Sequence, residues 1–156
     1  MKRKIAITLM LTIALSGLAC NRKAKEPDNP TSETDPLRII AVQCDRIAEG
    51  LNAAIDAKRA LLKDGLITAE QSNAATQVIL KAIRATRELT ETAATFDTFD
   101  QGKAKLSDLF KAVQDSFNDL TTGGVITGLS ETARSKINLA LDISREALKV
   151  IVPLFT

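Results

Sequence analysis

Two cysteines, Cys20 and Cys44, are the residues best suited to nucleophilic or redox chemistry, and their settings differ. Cys20 closes an apolar run in "LSGLACN", Leu15 to Asn21, and charge follows at once. Cys44 falls on an apolar stripe of helical period, where a buried structural thiol is expected rather than a reactive one. The chain has no His. The commonest general base and metal ligand is therefore missing, and Ser–His and Cys–His nucleophile pairs are excluded. Asp97 and Asp100 flank a turn in "FDTFD". Carboxylates three apart suit Ca²⁺, but the loop lacks the spacing of an EF-hand, and Asp100 reads as a helix cap. No carboxylate pair is spaced for glycoside hydrolysis, and no phosphate-binding glycine loop follows a strand. Lys81, Arg84 and Arg87 share the outer side of one helix with Glu88 and Glu91, which reads as a solvated face. The sequence thus predicts no catalytic residue, no metal site, no cofactor and no enzyme.

The elements that position these residues are helical throughout. Asp35-Pro36 opens the first helix, with Asp as N-cap and Pro at the first helical position. Its stripe runs Ile40, Cys44, Ile47, Leu51, Ile55 and Leu62, is widened by Ala54 and Leu61, and ends at Gly65. Thr68 and Gln71 form a capping box for a second stripe of Ala75, Val78, Ile79, Ala82, Ile83, Leu89, Ala93 and Phe96. "FDTFDQGK", Phe96 to Lys103, interrupts it. A third stripe of Leu106, Leu109, Phe110, Val113, Phe117 and Leu120 stops at Gly123-Gly124. The fourth runs through Ala133, Ile137, Ala140, Leu141, Leu148 and Ile151 to Pro153. The turns "DGLIT" (64–68) and "GGVIT" (123–127) look alike. Sliding the chain so that Leu51 meets Leu109 and Ile79 meets Ile137 aligns the flanking stripes as well. In each turn glycine is expected to end one helix in the left-handed conformation and Thr to cap the next. The expected fold is all-α: a four-helix up-down bundle of two αα-hairpins, about 36–96 and 103–152. With aromatics at 3% and no Trp or Tyr, its core must be built mostly from Ala, Leu, Ile and Val. The apolar tail "VIVPLFT" has two readings, a cover over the end of the bundle or a small docking patch.

The leading residues have a different logic. Lys2-Arg3-Lys4 precedes the 15-residue apolar stretch Ile5 to Ala19, which is short of the roughly 20 residues of a spanning helix and suits a secretory signal. Residues 1–19 hold three basic residues and no acid, so without them 18 basic residues face 19 acidic ones and the net charge of +2 becomes −1. A near-neutral remainder gives no electrostatic case for nucleic acid. Asn21 to Pro36 has no apolar residue beyond Ala24 and reads as a disordered linker, roughly 50 Å long at about 3.3 Å per residue when extended. Arg22, Lys23 and Lys25 sit where they would meet anionic head groups, or are simply solvated.

Gly17-Leu18-Ala19-Cys20 resembles the bacterial lipoprotein signal peptide. The resemblance is confined to positions 1–20. Ala19 and Cys20 match its strictest positions, Leu18 is accepted, and Gly17 departs from the usual Leu or Val. It implies a signal peptide over 1–19 cut between Ala19 and Cys20, diacylation of Cys20, and two acyl chains, which hold a protein stably on a bilayer. Asn21 after the cysteine implies the outer membrane over the inner one. Gly17 and Ala19 also fit ordinary secretory cleavage, which would leave Cys20 a free thiol or pair it with Cys44, and an uncut anchor is the third reading. Cys44, on an apolar helix face, makes a poor disulfide partner for a cysteine at the head of a loose linker. The expectation is therefore a lipid-anchored envelope protein over 20–156. Residues 20–35 form its tether. The helical domain, 36–156, serves as an interaction or scaffolding module without catalysis. Its partners are the membrane through the lipid, and an envelope protein or a second copy. The alternative is a small binding protein that holds an apolar or lipid ligand between the hairpins.

Overall fold

The computed structural model describes residues 35–156. The signal-like segment, Ala19, Cys20 and most of the linker lie outside the described residues. The described chain is all-α, with four long helices, a one-turn helix α4 and a closing 3₁₀ turn.

Helix α1, Pro36–Lys63, begins as its sequence dictates: the Asp35 carboxylate accepts from the Leu37 N–H at 3.1 Å, and Pro36 takes the first position. It ends in a Schellman motif. Gly65 has φ 69°, its N–H donates to the Leu62 carbonyl at 3.1 Å, and the Leu66 N–H donates to the Leu61 carbonyl at 2.9 Å. No side chain crowds Gly65, so its requirement is conformational alone. Gly65→Ala should therefore destabilise the domain by about 1 kcal/mol, read as a lower thermal midpoint with the helix content kept. The core line through α1 runs Ile47, Leu51, Ala54, Lys58 and Leu61. Leu61 is fully buried and Leu62 is 40% exposed, which reverses their expected ranks. Lys58 sits on the core line and hides its continuation from a hydrophobicity pattern.

Helix α2, Ala69–Ala93, opens on the expected capping box. Gln71 N–H donates to Thr68 Oγ1 at 3.1 Å, and Thr68 N–H donates to Gln71 Oε1 at 2.9 Å. Helix α3, Phe99–Thr121, starts well before the expected Lys103. Thr98 holds the cap position, and Asp100 lies inside the first turn, so Asp100 is not the cap. Gly102 does not break this helix. It is a buried packing position onto which the Phe96 ring closes.

The second turn also departs from expectation. Gly65 is the one positive-φ glycine among the described residues. Gly124 instead starts the short helix α4, Gly124–Thr127, which buries Ile126. Thr127 is not a cap. Ser130 caps helix α5, Glu131–Ile151, accepting from the Ala133 N–H at 3.3 Å. The 3₁₀ turn Val152–Leu154 follows.

Short connections make sequential helices antiparallel. Helix α1 packs along α2 and α5, and α2 packs along α3. The four form an up-down bundle of two αα-hairpins, closed on three sides, with α3 and α5 standing apart on the fourth. The hairpins repeat their buried registers. Ala75, Ile79, Thr86, Leu89 and Ala93 of α2 become Ala133, Ile137, Ser144, Ala147 and Ile151 of α5. In α1 and α3 the repeat is one residue longer: Ile47, Leu51, Ala54 and Leu61 become Leu106, Phe110, Val113 and Leu120, so Leu51 pairs with Phe110 and not with the expected Leu109, which is only partly buried.

Candidate functional site

Cys44 is 1% exposed, on the face of α1 that meets α2. Burial pushes its thiol up to about 11, partly countered by its hydrogen bond with the Thr90 side chain. A thiol this rarely ionised is a poor nucleophile at neutral pH. Asp97 and Asp100 are both exposed, and no group of three His, Cys, Asp or Glu side chains among the described residues is arranged to hold a metal ion. The basic residues of α2 are partly committed. Lys81 bridges to Asp119 of α3 at 2.7 Å and Arg87 to Glu91 at 2.6 Å.

Three buried polar groups are not evident from the sequence pattern. The Lys58 ammonium, in a residue 7% exposed, donates to Thr76 Oγ1 at 2.6 Å, and burial lowers its pKa. Ser144 of α5 donates to the Ile47 carbonyl of α1 at 2.9 Å. Gly50 lies beside it, and a Cβ there would run into the Ser144 hydroxyl. This contact closes the α1–α5 seam between the hairpins. Gln43 is buried with its Oε1 unbonded. The only signal for Gln43 and Lys58 is their position on an otherwise apolar line.

Two surfaces remain. The first is a groove of about 520 Å³ along the open α3–α5 side. Phe110 and Phe117 form its floor, and the tail borders it. Phe155 stacks on Phe110 at 5.2 Å between centroids and tilts against Phe99 at 5.6 Å. The tail therefore covers the bundle, the first of its two readings. The groove lies within the second hairpin, not between the two.

No family model, curated protein or solved structure matches this chain. Its functional reading rests on its own residues, and the second surface bears on it most. Leu139, Ile143 and Val150 are all exposed on α5, Leu139 at 73%. At 100° per residue they fall within about 40° of one another. Helix α5 thus carries a second apolar row, turned away from the core. In the register that pairs Ile79 with Ile137, the equivalent positions of α2 are Lys81, Ala85 and Thr92. No helix among the described residues is long and apolar enough to cross a membrane.

Proposed function

We propose that this chain is a lipid-anchored envelope protein whose helical bundle docks another protein through the outer face of α5, without catalysis of its own. The observation that carries the reading is the row Leu139, Ile143 and Val150. Single exposed leucines are ordinary on a protein surface. A row at helical spacing, absent from the matching helix of the first hairpin, marks a contact surface. The resemblance of Gly17–Cys20 to a lipoprotein signal supports the anchoring half, with acylated Cys20 on the outer membrane and Asn21–Asp35 as the tether. The occupant of the row is a second copy or another envelope protein.

The two halves are tested separately. Cys20→Ser should block lipid attachment and with it the removal of residues 1–19, read as an unprocessed precursor of larger size. Mature protein of unchanged size would overturn the lipid anchor in favour of ordinary cleavage. Leu139→Glu with Ile143→Glu should leave the fold intact, because both side chains are solvent-facing. It should also abolish both self-association in sedimentation and partners captured by cross-linking in membranes. A double variant that retains all of these contacts removes α5 as the docking face.

A further inference from the structure

The two hairpins share their buried registers but not their closure. In the first, α1 and α2 pack along each other. In the second, α4 is inserted at the turn and touches α2, α3 and α5. The wall of α3 that faces the gap is polar. Ser107 and Gln114 stand where the first hairpin has Ala48 and Ile55, and Lys111 and Asn118 continue the row. The facing wall is apolar, built from Leu148, Val152 and Phe155.

We propose that this groove binds a short extended peptide segment, apolar on one side and carrying a carboxylate at one end. Ser107, Gln114 and Asn118 each offer a donor and an acceptor, as a peptide backbone does at every residue. An acyl chain would offer Ser107, Gln114 and Asn118 no hydrogen bond, so the polar side favours a peptide over a lipid. From residue 107 to 118 the helix rises about 16 Å at 1.5 Å per residue, the length of about five extended residues. Alternate side chains of such a segment all point to one side and meet the apolar wall, the usual division between main-chain affinity and side-chain specificity. Lys111 enters none of the ion pairs among the described residues. It is available to take the carboxylate. Asp115, one turn further along α3, repels a second one. The chain's own linker does not fit, because it has no apolar residue beyond Ala24. The site is separate from the α5 row and holds whether or not the chain is lipidated.

The test uses the full chain in mild detergent and fluorescein-labelled tetrapeptides of alternating Ala and Leu or Val with a free carboxylate, followed by anisotropy. Saturable binding with Kd below about 1 mM is expected. Amidating the carboxylate, or Lys111→Glu, should each weaken it about tenfold or more. Gln114→Ala with Asn118→Ala should weaken it similarly, and Arg59→Ala, exposed on α1 and paired only with Asp56, should not. Unchanged thermal melting of each variant separates lost binding from lost fold. Absence of saturable binding across the panel overturns the proposal, as does binding indifferent to Lys111→Glu. Decanoate bound in place of the peptides would reassign the groove to an acyl chain and overturn it too.

Discussion

Gly50→Ala should destabilise the bundle by about 2 kcal/mol, although alanine is the better helix former. Two effects oppose each other. Glycine inside a helix costs about 0.5–1 kcal/mol relative to alanine, so an isolated α1 would gain by the change. In the bundle the new methyl meets the Ser144 hydroxyl and lies 2.9 Å from the Ser144 backbone nitrogen. The backbone cannot swing aside as a rotamer can. The seam must open, which costs about 1–3 kcal/mol, and the bond from Ser144 to the Ile47 carbonyl weakens with it, by about 1 kcal/mol more. The steric side wins. Urea unfolding should show a lower midpoint at unchanged slope. Ser144→Gly in the same background should restore part of the loss, since it removes the hydroxyl and leaves the nitrogen. A Gly50→Ala protein as stable as the parent would show that the α1–α5 seam is not in close contact at this point.

This glycine shows where the sequence stops being readable. A glycine in mid-helix looks like a weak point of α1, and its reason lies on α5, far along the chain. The helices themselves are legible because periodicity and caps are local: Asp35-Pro36, the Thr68–Gln71 box and the Gly65 stop all stand where the pattern puts them. The pattern misleads where two local rules compete. "GGVIT" resembles "DGLIT", yet only the first turn uses a left-handed glycine; burying Ile126 through a helical turn moves the cap to Ser130. Gly102 looks like part of a break because glycine near the start of a helix is unfavourable in isolation. The packing of Phe96 compensates. The groove is hidden for a related reason. Ser107, Lys111, Gln114 and Asn118 look like any solvated face until Leu148 and Val152 stand opposite them. The α5 row is masked by its neighbours, because one helix carrying two apolar faces reads as one broad stripe.

Raising the pH from about 9 to 11 should cost the domain on the order of 2–3 kcal/mol through Cys44 alone, and Lys58 should partly mask the loss. The thiol's ordinary value is 9.0 and its folded value about 11. Below pH 9 the thiol is protonated in both states and its contribution is complete. Between the two values the unfolded chain ionises Cys44 and the folded chain does not, so unfolding is favoured progressively, by about 1.4 kcal/mol per unit. Lys58 has the opposite sign. Burial lowers its pKa below 10.5, so the folded amine loses its proton before the unfolded one does. Across that window the folded state gains relative to the unfolded one as pH rises, because a buried ammonium held only by Thr76 becomes a neutral amine. The two groups face the same helix pair, α1 and α2, and act in overlapping ranges, so the wild-type profile is their difference. Single variants separate them. Lys58→Met should expose the full alkaline decline. Cys44→Ala should abolish it and leave stability flat or rising up to about pH 10.5, with urea midpoints taken at about pH 8, 9.5 and 11. A Cys44→Ala protein that declines as steeply as the parent would show that the thiol is not buried as the α1–α2 packing requires. A Lys58→Met protein with an unchanged profile would place the Lys58 amine in water, with its bond to Thr76 absent in solution.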